Sequence, residues 1–307
     1  MIKIDKISKS FADKIAVDAV SFEAKDNEIL VILGTSGSGK TTTLKMINRL
    51  IEPDSGSIFI KGKNIQSLPK EELRKSIGYV MQHSGLFPHY TVAENIAILP
   101  NLLKWDKTRI TQRTKELLEK LNLSEEILKK MPHELSGGQQ QRVGIARALI
   151  VNTSILLMDE PFGSLDTITK TAIHKEFKSL EELKTKTTVL VTHDVQEAFD
   201  LGHRICLMDN GRIIQQGTPK EILYQPANDF VKNFFAAQRV VLEYKITKFE
   251  ELIPFLSNTI LLKEQTNLNS ETIVWDVLQE YSVENRFSDQ YQEVLNAFIA
   301  YRKLQTV

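Results

Sequence analysis

Apolar residues along this chain fall alternately into short unbroken runs and into stripes with helical spacing. The runs starting at Ile29 (ILVIL), Ile155 (ILLM) and Val189 (VLV) are continuous, which predicts strands covered on both faces. Between them lie helical patterns: Leu44, Ile47 and Leu50; the amphipathic KTRITQRTKELLEKL; and RVGIARALI, with Val143, Ile145, Ala146 and Leu149 on its apolar side. Alternation of strand and helix from Ile29 to Met208 predicts an α/β fold with a mostly parallel sheet. An antiparallel β portion precedes it, and a helical insertion occupies about 90–150. DNGRIIQQGTPKEIL reads as a closing hairpin, turning at Asn210-Gly211, followed by a turn into a helix.

Composition changes after this point. No glycine occurs beyond Gly217, and residues 240–307 carry a net charge of about −4 in a chain whose total is zero. The expected organisation is therefore one domain over 1–239 and a small accessory region over 240–307. In the latter, FEELIPFL and YQEVLNAFIAYRKL look helical, with Tyr291, Val294, Leu295, Phe298 and Ile299 as a candidate core stripe. Equal numbers of acidic and basic residues exclude a bulk attraction to nucleic acid or to an anionic membrane. Cys206 is the only cysteine and sits in the apolar run RICLMD, so it reads as a core thiol in a reducing compartment. The start, MIKIDKISKSF, has no apolar stretch of signal-peptide length, and no run reaches transmembrane length. The expectation is a cytosolic chain that does not itself span a bilayer.

Chemistry enters with GTSGSGKTT, placed between the strand at Ile29 and the helical pattern at Leu44. Strand, glycine loop, helix is the context in which GxxxxGK[ST] makes a phosphate site. Gly34, Gly37 and Gly39 let successive amides converge on phosphate oxygens, helped by Ser36, Ser38 and Thr42 and by the helix dipole. Lys40 would reach the β and γ phosphates, and Thr41 would hold Mg²⁺. The second strand run ends in adjacent carboxylates, Asp159 and Glu160, at the strand end where ligands of open α/β sheets gather. Neighbours on a strand point opposite ways, so their roles divide. Asp159 is expected on Mg²⁺, through water, and Glu160 as the base that polarises the attacking water.

In LSGGQQQ, two glycines stand at the start of a helix. Ser136 fits the N-cap, and Gly137 and Gly138 keep side chains away from a phosphate approaching the backbone. Gln139 is expected to contact a nucleotide or a loop that faces it.

The phosphate loop, the carboxylate pair and LSGGQ, in that chain order, resemble the ATP-binding subunits of ABC transporters. That likeness implies a P-loop ATPase core in which two subunits bind head to tail, each ATP lying between one subunit's loop and the other's LSGGQ. It further implies a switch histidine at His193, a Q-loop glutamine at Gln82 that senses Mg²⁺, and a partner-facing loop Ser164-Leu165-Asp166. Phe11 would stack on adenine, the other reading being a strand aromatic in the core. Asn27 stands where relatives often have glycine, and asparagine tolerates that turn. TTTLKMINRLIEPDSGSIFIKGKNI, SIGYVMQHSGLFPHYTVAENIA and NDFVKNFFAAQR are most similar to ATPase subunits importing quaternary amines such as glycine betaine, carnitine or choline. From that follow ATP and Mg²⁺ as cofactors, a homodimer or paired ATPase subunit, transmembrane permease subunits, a separate or fused substrate-binding protein, no nucleic acid, and a peripheral place on the cytoplasmic face of the plasma membrane. Those relatives often end in a tandem CBS module. About 68 residues are too few for the pair, which leaves a single CBS-like unit or an unrelated helical appendix. Import of polar amino acids or another small solute is the alternative within the family. A soluble ABC ATPase acting on ribosomes or DNA would bring two cassettes or a long coiled-coil insertion, and a P-loop kinase would not need LSGGQ.

Overall fold

The computed structural model describes residues 1–82, 85–163, 165, 167–256, 272–283 and 289–305. The chain divides into two compact units, Met1–Gln216 and Gly217–Val307. The compositional break at Val240 lies inside the second unit.

In the first unit, β1 (Ile2–Phe11), β2 (Lys14–Ala24), β4 (Ser55–Ile60) and β5 (Lys63–Asn64) form an antiparallel sheet in the order β2-β1-β4-β5. A second sheet has the order β10-β9-β3-β8-β7-β6. It is built from β3 (Ile29–Gly34), β6 (Ile77–Val80), β7 (Ile155–Asp159), β8 (Thr187–Thr192), β9 (Arg204–Asp209) and β10 (Arg212–Gly217). Pairs β9-β3, β3-β8, β8-β7 and β7-β6 are parallel. Continuous apolar runs suit this sheet, and every residue of β3, β7 and β8 is buried. Register then does the positioning: Leu33 pairs with Thr192 and Asp159 with Val191, so the loops leaving β3, β7 and β8 emerge side by side.

Helix α1 (Lys40–Ile47) follows β3, and Leu44 and Ile47 are buried as expected. Leu50, expected on the same stripe, is instead half exposed, because the helix stops at Ile47 and Arg49 turns to positive φ. After α2 (Lys70–Lys75), the helical segment holds α3 (Val92–Leu102), α4 (Lys107–Lys120) and α5 (Gly137–Leu149). Each starts on a side-chain cap, from Thr91, Asp106 and Ser136 respectively. Helices α6 (Thr167–Ser179) and α7 (Glu181–Lys184) lead into β8, and α8 (Val195–Leu201) into β9. Asn210 and Gly211 both take positive φ and close the β9-β10 hairpin, and Asn27 also sits at φ +60°. Cys206 is fully buried.

The second unit contains α9 (Pro219–Tyr224), α10 (Asp229–Ala236), α11 (Arg239–Ile246), a 3₁₀ stretch over Phe249–Phe255, α12 (Val274–Val283) and α13 (Asp289–Gln305). Its core gathers Phe249, Leu252, Val274, Val277, Val294, Phe298 and Tyr301. Val294 and Phe298 belong to the expected stripe. Ile299 does not: it is half exposed, and Ala297 and Tyr301 take the inward positions. Glu243 of α11 is wholly buried and accepts hydrogen bonds or ion pairs from Arg239 Nε at 2.8 Å and Arg302 Nε at 2.6 Å, tying α11 to α13. Lys220 and the Tyr301 hydroxyl both donate to Glu251, which joins α9 to the same core. A buried acid that loses its charge leaves two guanidinium groups without their partner. Glu243→Gln is therefore expected to cost about 2 kcal/mol, read by chemical denaturation of this unit's transition; an unchanged midpoint would show that the pair contributes nothing.

Candidate nucleotide site

The turn after β3 is held by crowding. A Cβ on Gly34 would lie 2.1 Å from the Met208 carbonyl oxygen, and one on Gly39, at φ +100°, 2.3 Å from the Ala16 carbonyl oxygen. No side chain fits there without moving backbone. Gly37 (φ +78°) faces open space instead, leaving its backbone accessible. Lys40 donates to the carbonyls of Gly34 (2.9 Å) and Thr35 (2.7 Å), so its ammonium is folded over its own loop. Burial pushes its pKa down, opposed by the Glu160 and Asp159 carboxylates. Ser38 Oγ is buried with no hydrogen-bond partner among the described residues, and a buried hydroxyl of this kind fits a loop whose ligand brings acceptors.

The carboxylate pair divides, but not by strand alternation alone, because β7 ends at Asp159 and Glu160 turns to positive φ. The Thr41 hydroxyl donates to Asp159 Oδ1 at 2.7 Å, which brings two of the three expected metal residues together from α1 and β7. Burial raises the Asp159 pKa, partly offset by Thr41's hydrogen bond. The folded chain thus keeps a proton that the unfolded chain releases, and this group's share of stability falls as pH rises from the ordinary carboxylate range through the raised value.

Glu160 points elsewhere. Its Oε2 accepts from Gln82 Nε2 at 3.3 Å and lies 3.0 Å from His193 Nδ1. Three residues from three loops therefore meet at one oxygen. Glu160 has φ +44°, a left-handed conformation that a non-glycine residue adopts at a cost, and its N–H donates to the Val191 carbonyl at 2.9 Å. His193 stays more than half exposed and can meet an incoming group. A cleft of about 360 Å³ is lined by Phe11, Lys14, Ser36, Gly37, Lys40, Thr41, Thr42, Gln82 and Glu160. Phe11 is half exposed at its rim, with the Lys9 ammonium 5.6 Å from the ring centroid, so it is not a core aromatic.

LSGGQ forms the N-terminus of α5. Ser136 Oγ accepts from Gln139 N, and Gln139 Oε1 accepts from Ser136 N at 3.0 Å, a reciprocal capping box. Gln139 is thereby used within its own helix; the Ser-x-x-Gln spacing carried that signal. The space beside Gly137 is open. Ser164 and Asp166 lie outside the described residues.

Two further residues went unnoticed in the sequence. Asn95, fully buried, donates to the carbonyls of Phe87, Tyr90 and Thr91 and accepts from Phe87 N–H, bracing the loop that follows Gln82. Arg147 of α5 donates to the Gly85 carbonyl at 2.8 Å. This loop presents Phe87 and Tyr90 to solvent, and Met81, just before Gln82, is exposed as well.

A glycine loop with its lysine, a threonine-aspartate pair and a carboxylate held by glutamine and histidine suit a P-loop nucleoside triphosphatase, and the chain's relatives give the family. The ABC transporter family model matches residues 17–163. The glycine betaine/carnitine/choline transport ATP-binding protein OpuCA of Bacillus subtilis (strain 168) is 49% identical over 78% of this chain, which spans 64% of that protein's length. The choline transport ATP-binding protein OpuBA of the same organism is 42% identical over 96% of this chain and 81% of its own. A dimeric bacterial ABC transporter cassette superposes with a TM-score of 0.65 at 36% identity, covering 71% of this chain and 98% of the cassette. The chain belongs to the ATP-binding proteins of ABC transporters.

Relief of the left-handed strain at Glu160 offers a test of this geometry. Glu160→Gly should leave thermal stability unchanged or raise it by about 1 kcal/mol while abolishing hydrolysis. A loss of about 2 kcal/mol or more would mean that the carboxylate's bonds outweigh the strain.

Proposed function

We propose that this chain is the ATP-hydrolysing subunit of an ABC importer for quaternary amines such as glycine betaine, choline or carnitine. The observation that carries the catalytic reading is the shared Glu160 oxygen, held by Gln82 and His193 beside the lysine loop. The cargoes for which the relatives are named support the substrate class.

In this reading ATP stacks its adenine on Phe11 and lays its phosphates over the amides of Gly34 to Thr42. Lys40 leaves its own loop carbonyls for the β and γ oxygens. Thr41 and Asp159, whose side-chain oxygens lie 2.7 Å apart, would hold Mg²⁺ together with Gln82, and the ion would supply charge neutralisation at the phosphates. Glu160 takes the proton of the attacking water, and His193 orients it and meets the γ-phosphate. Ser136, Gly137, Gly138 and Gln139 of a second subunit close the site, since a capped helix N-terminus with open space beside its first glycine suits an anion. Asp166 belongs to the loop facing that subunit. Residues 1–239 are the motor and 240–307 an accessory region.

The exposed Met81, with Phe87 and Tyr90 on the loop braced by Asn95, suits contact with a transmembrane permease, and a separate or fused binding protein selects cargo. Among the described residues no helix is long and apolar enough to cross a membrane, which accords with a peripheral place on the cytoplasmic face.

Glu160→Gln should bind ATP normally, lower turnover by about 10² or more, and accumulate a nucleotide-dependent dimer; normal turnover would remove Glu160 from the base role. Uptake of radiolabelled glycine betaine, choline and carnitine, in cells with and without this chain, tests the cargo. Loss of uptake of one names it, and unchanged uptake of all three refutes the quaternary-amine reading.

A further inference from the structure

Helix α6 carries no residue of the site, yet it packs against or pairs with two of the loops that supply it, those after β7 and β8. On one side Phe162, two residues after Glu160 and fully buried, packs edge-on against His174 (ring centroids 4.8 Å) and Phe177 (5.6 Å) of α6. On the other side, Lys170 of α6 reaches the first turn of α8: its Nζ lies 2.5 Å from Asp194 Oδ2 and 3.2 Å from Glu197 Oε2. Both acids are committed to the backbone around His193. Asp194 Oδ1 accepts from the amides of Gln196 and Glu197, capping α8. Glu197 Oε2 accepts from the Thr192 hydroxyl at 3.1 Å, and Thr192 Oγ1 in turn accepts from Asp194 N at 2.9 Å. His193 is thus flanked by two residues, Thr192 and Asp194, that reach Lys170 directly or through one carboxylate.

We propose that Lys170 is a positioning residue for ATP hydrolysis, clamping the peptide on both sides of His193 to α6 so that the imidazole stays against Glu160. This rests on the reading of Glu160 and His193 as the hydrolytic pair.

The chemistry favours lysine here. A single ammonium with three donors can serve two carboxylates one helical turn apart, whereas an apolar side chain would leave Glu197, only 1% exposed, without its counter-charge. Burial raises the Glu197 pKa and the Lys170 charge opposes that shift. Without Lys170 the Glu197 carboxylate loses the cation that holds it against the Thr192 hydroxyl, and the bond from Asp194 N–H to Thr192 Oγ1 that fixes the turn at His193 loses its support. The same helix reaches the LSGGQ helix: Arg142 of α5 donates to Glu176 of α6 at 3.2 Å. Helix α6 therefore touches both the loop that carries His193, through Lys170, and the LSGGQ helix, through Glu176.

The test is steady-state ATP hydrolysis by the full chain, wild type against Lys170→Met and Lys170→Arg, with Glu160→Gln as the reference for chemistry. Lys170→Met should lower kcat about tenfold or more with KM for ATP within about threefold, since misplacing a reacting group is costly while the phosphate loop is untouched. Lys170→Arg, which restores the charge, should recover most of the loss. A kcat near wild type in Lys170→Met, or a fall that only tracks the folded fraction and is not rescued by arginine, overturns the proposal. Should Lys170→Met not fold, Glu197→Gln combined with it removes the buried charge: low kcat at normal ATP affinity in that stable double variant supports the clamp, and wild-type kcat overturns it. Wild-type activity that survives Glu160→Gln would instead sink the hydrolytic pair itself, leaving the two failures distinguishable.

Discussion

One backbone angle organises the site. At Glu160 the chain leaves β7 and enters the left-handed region at φ +44°, with its N–H fixed to the Val191 carbonyl. That turn separates two adjacent carboxylates, sending Asp159 to Thr41 and Glu160 to Gln82 and His193. Without it, simple strand alternation would place the two acids on opposite faces of the sheet, and only one could reach the phosphate loop. Strain of about 1–2 kcal/mol at such a position persists only where surrounding structure fixes it. Here the fixing comes from the buried Phe162 and from the parallel register of β7 with β8.

The same economy governs the phosphate loop. Gly34 and Gly39 are hemmed in by the Met208 and Ala16 carbonyls, so the loop's shape is set by β9 and β2 as well as by its own residues. Lys40, with its charge disfavoured by burial, rests on two loop carbonyls that a triphosphate would replace with better acceptors. Around this centre the capped helices α3, α4 and α5 present a different kind of surface: Asn95 and Arg147 fix the loop after Gln82, and Ser136 with Gln139 fixes the start of α5. Rigid elements thus hold both the residues at the cleft and those proposed to act on a second copy.

What could be read in the sequence was local. The glycine loop, the acids at the end of an apolar strand and the capping serine are patterns of a few residues whose chemistry depends on spacing alone, and the structure brings Thr41 to Asp159 and Gln82 and His193 to Glu160. Three kinds of feature were not legible. The positive φ of Glu160 arises from tertiary packing and has no glycine to mark it. Lys170, Asn95 and Arg147 act on partners distant in sequence or on backbone carbonyls, for which composition carries no sign. The ends of helical stripes also misled: Leu50 and Ile299 keep the period but face solvent, one past the end of its helix and one beside the inward-facing Ala297 and Tyr301.

The central claim is that each ATP is hydrolysed by the Glu160 of one copy only when LSGGQ of another closes over it. Mixing Lys40→Ala with Ser136→Arg tests this most directly, because each variant alone is dead but a mixed pair contains one site with an intact loop and an intact LSGGQ. The account predicts that single-turnover hydrolysis, near zero for either variant, reappears on mixing. Silence in the mixture, with both variants folded and able to pair, would contradict it.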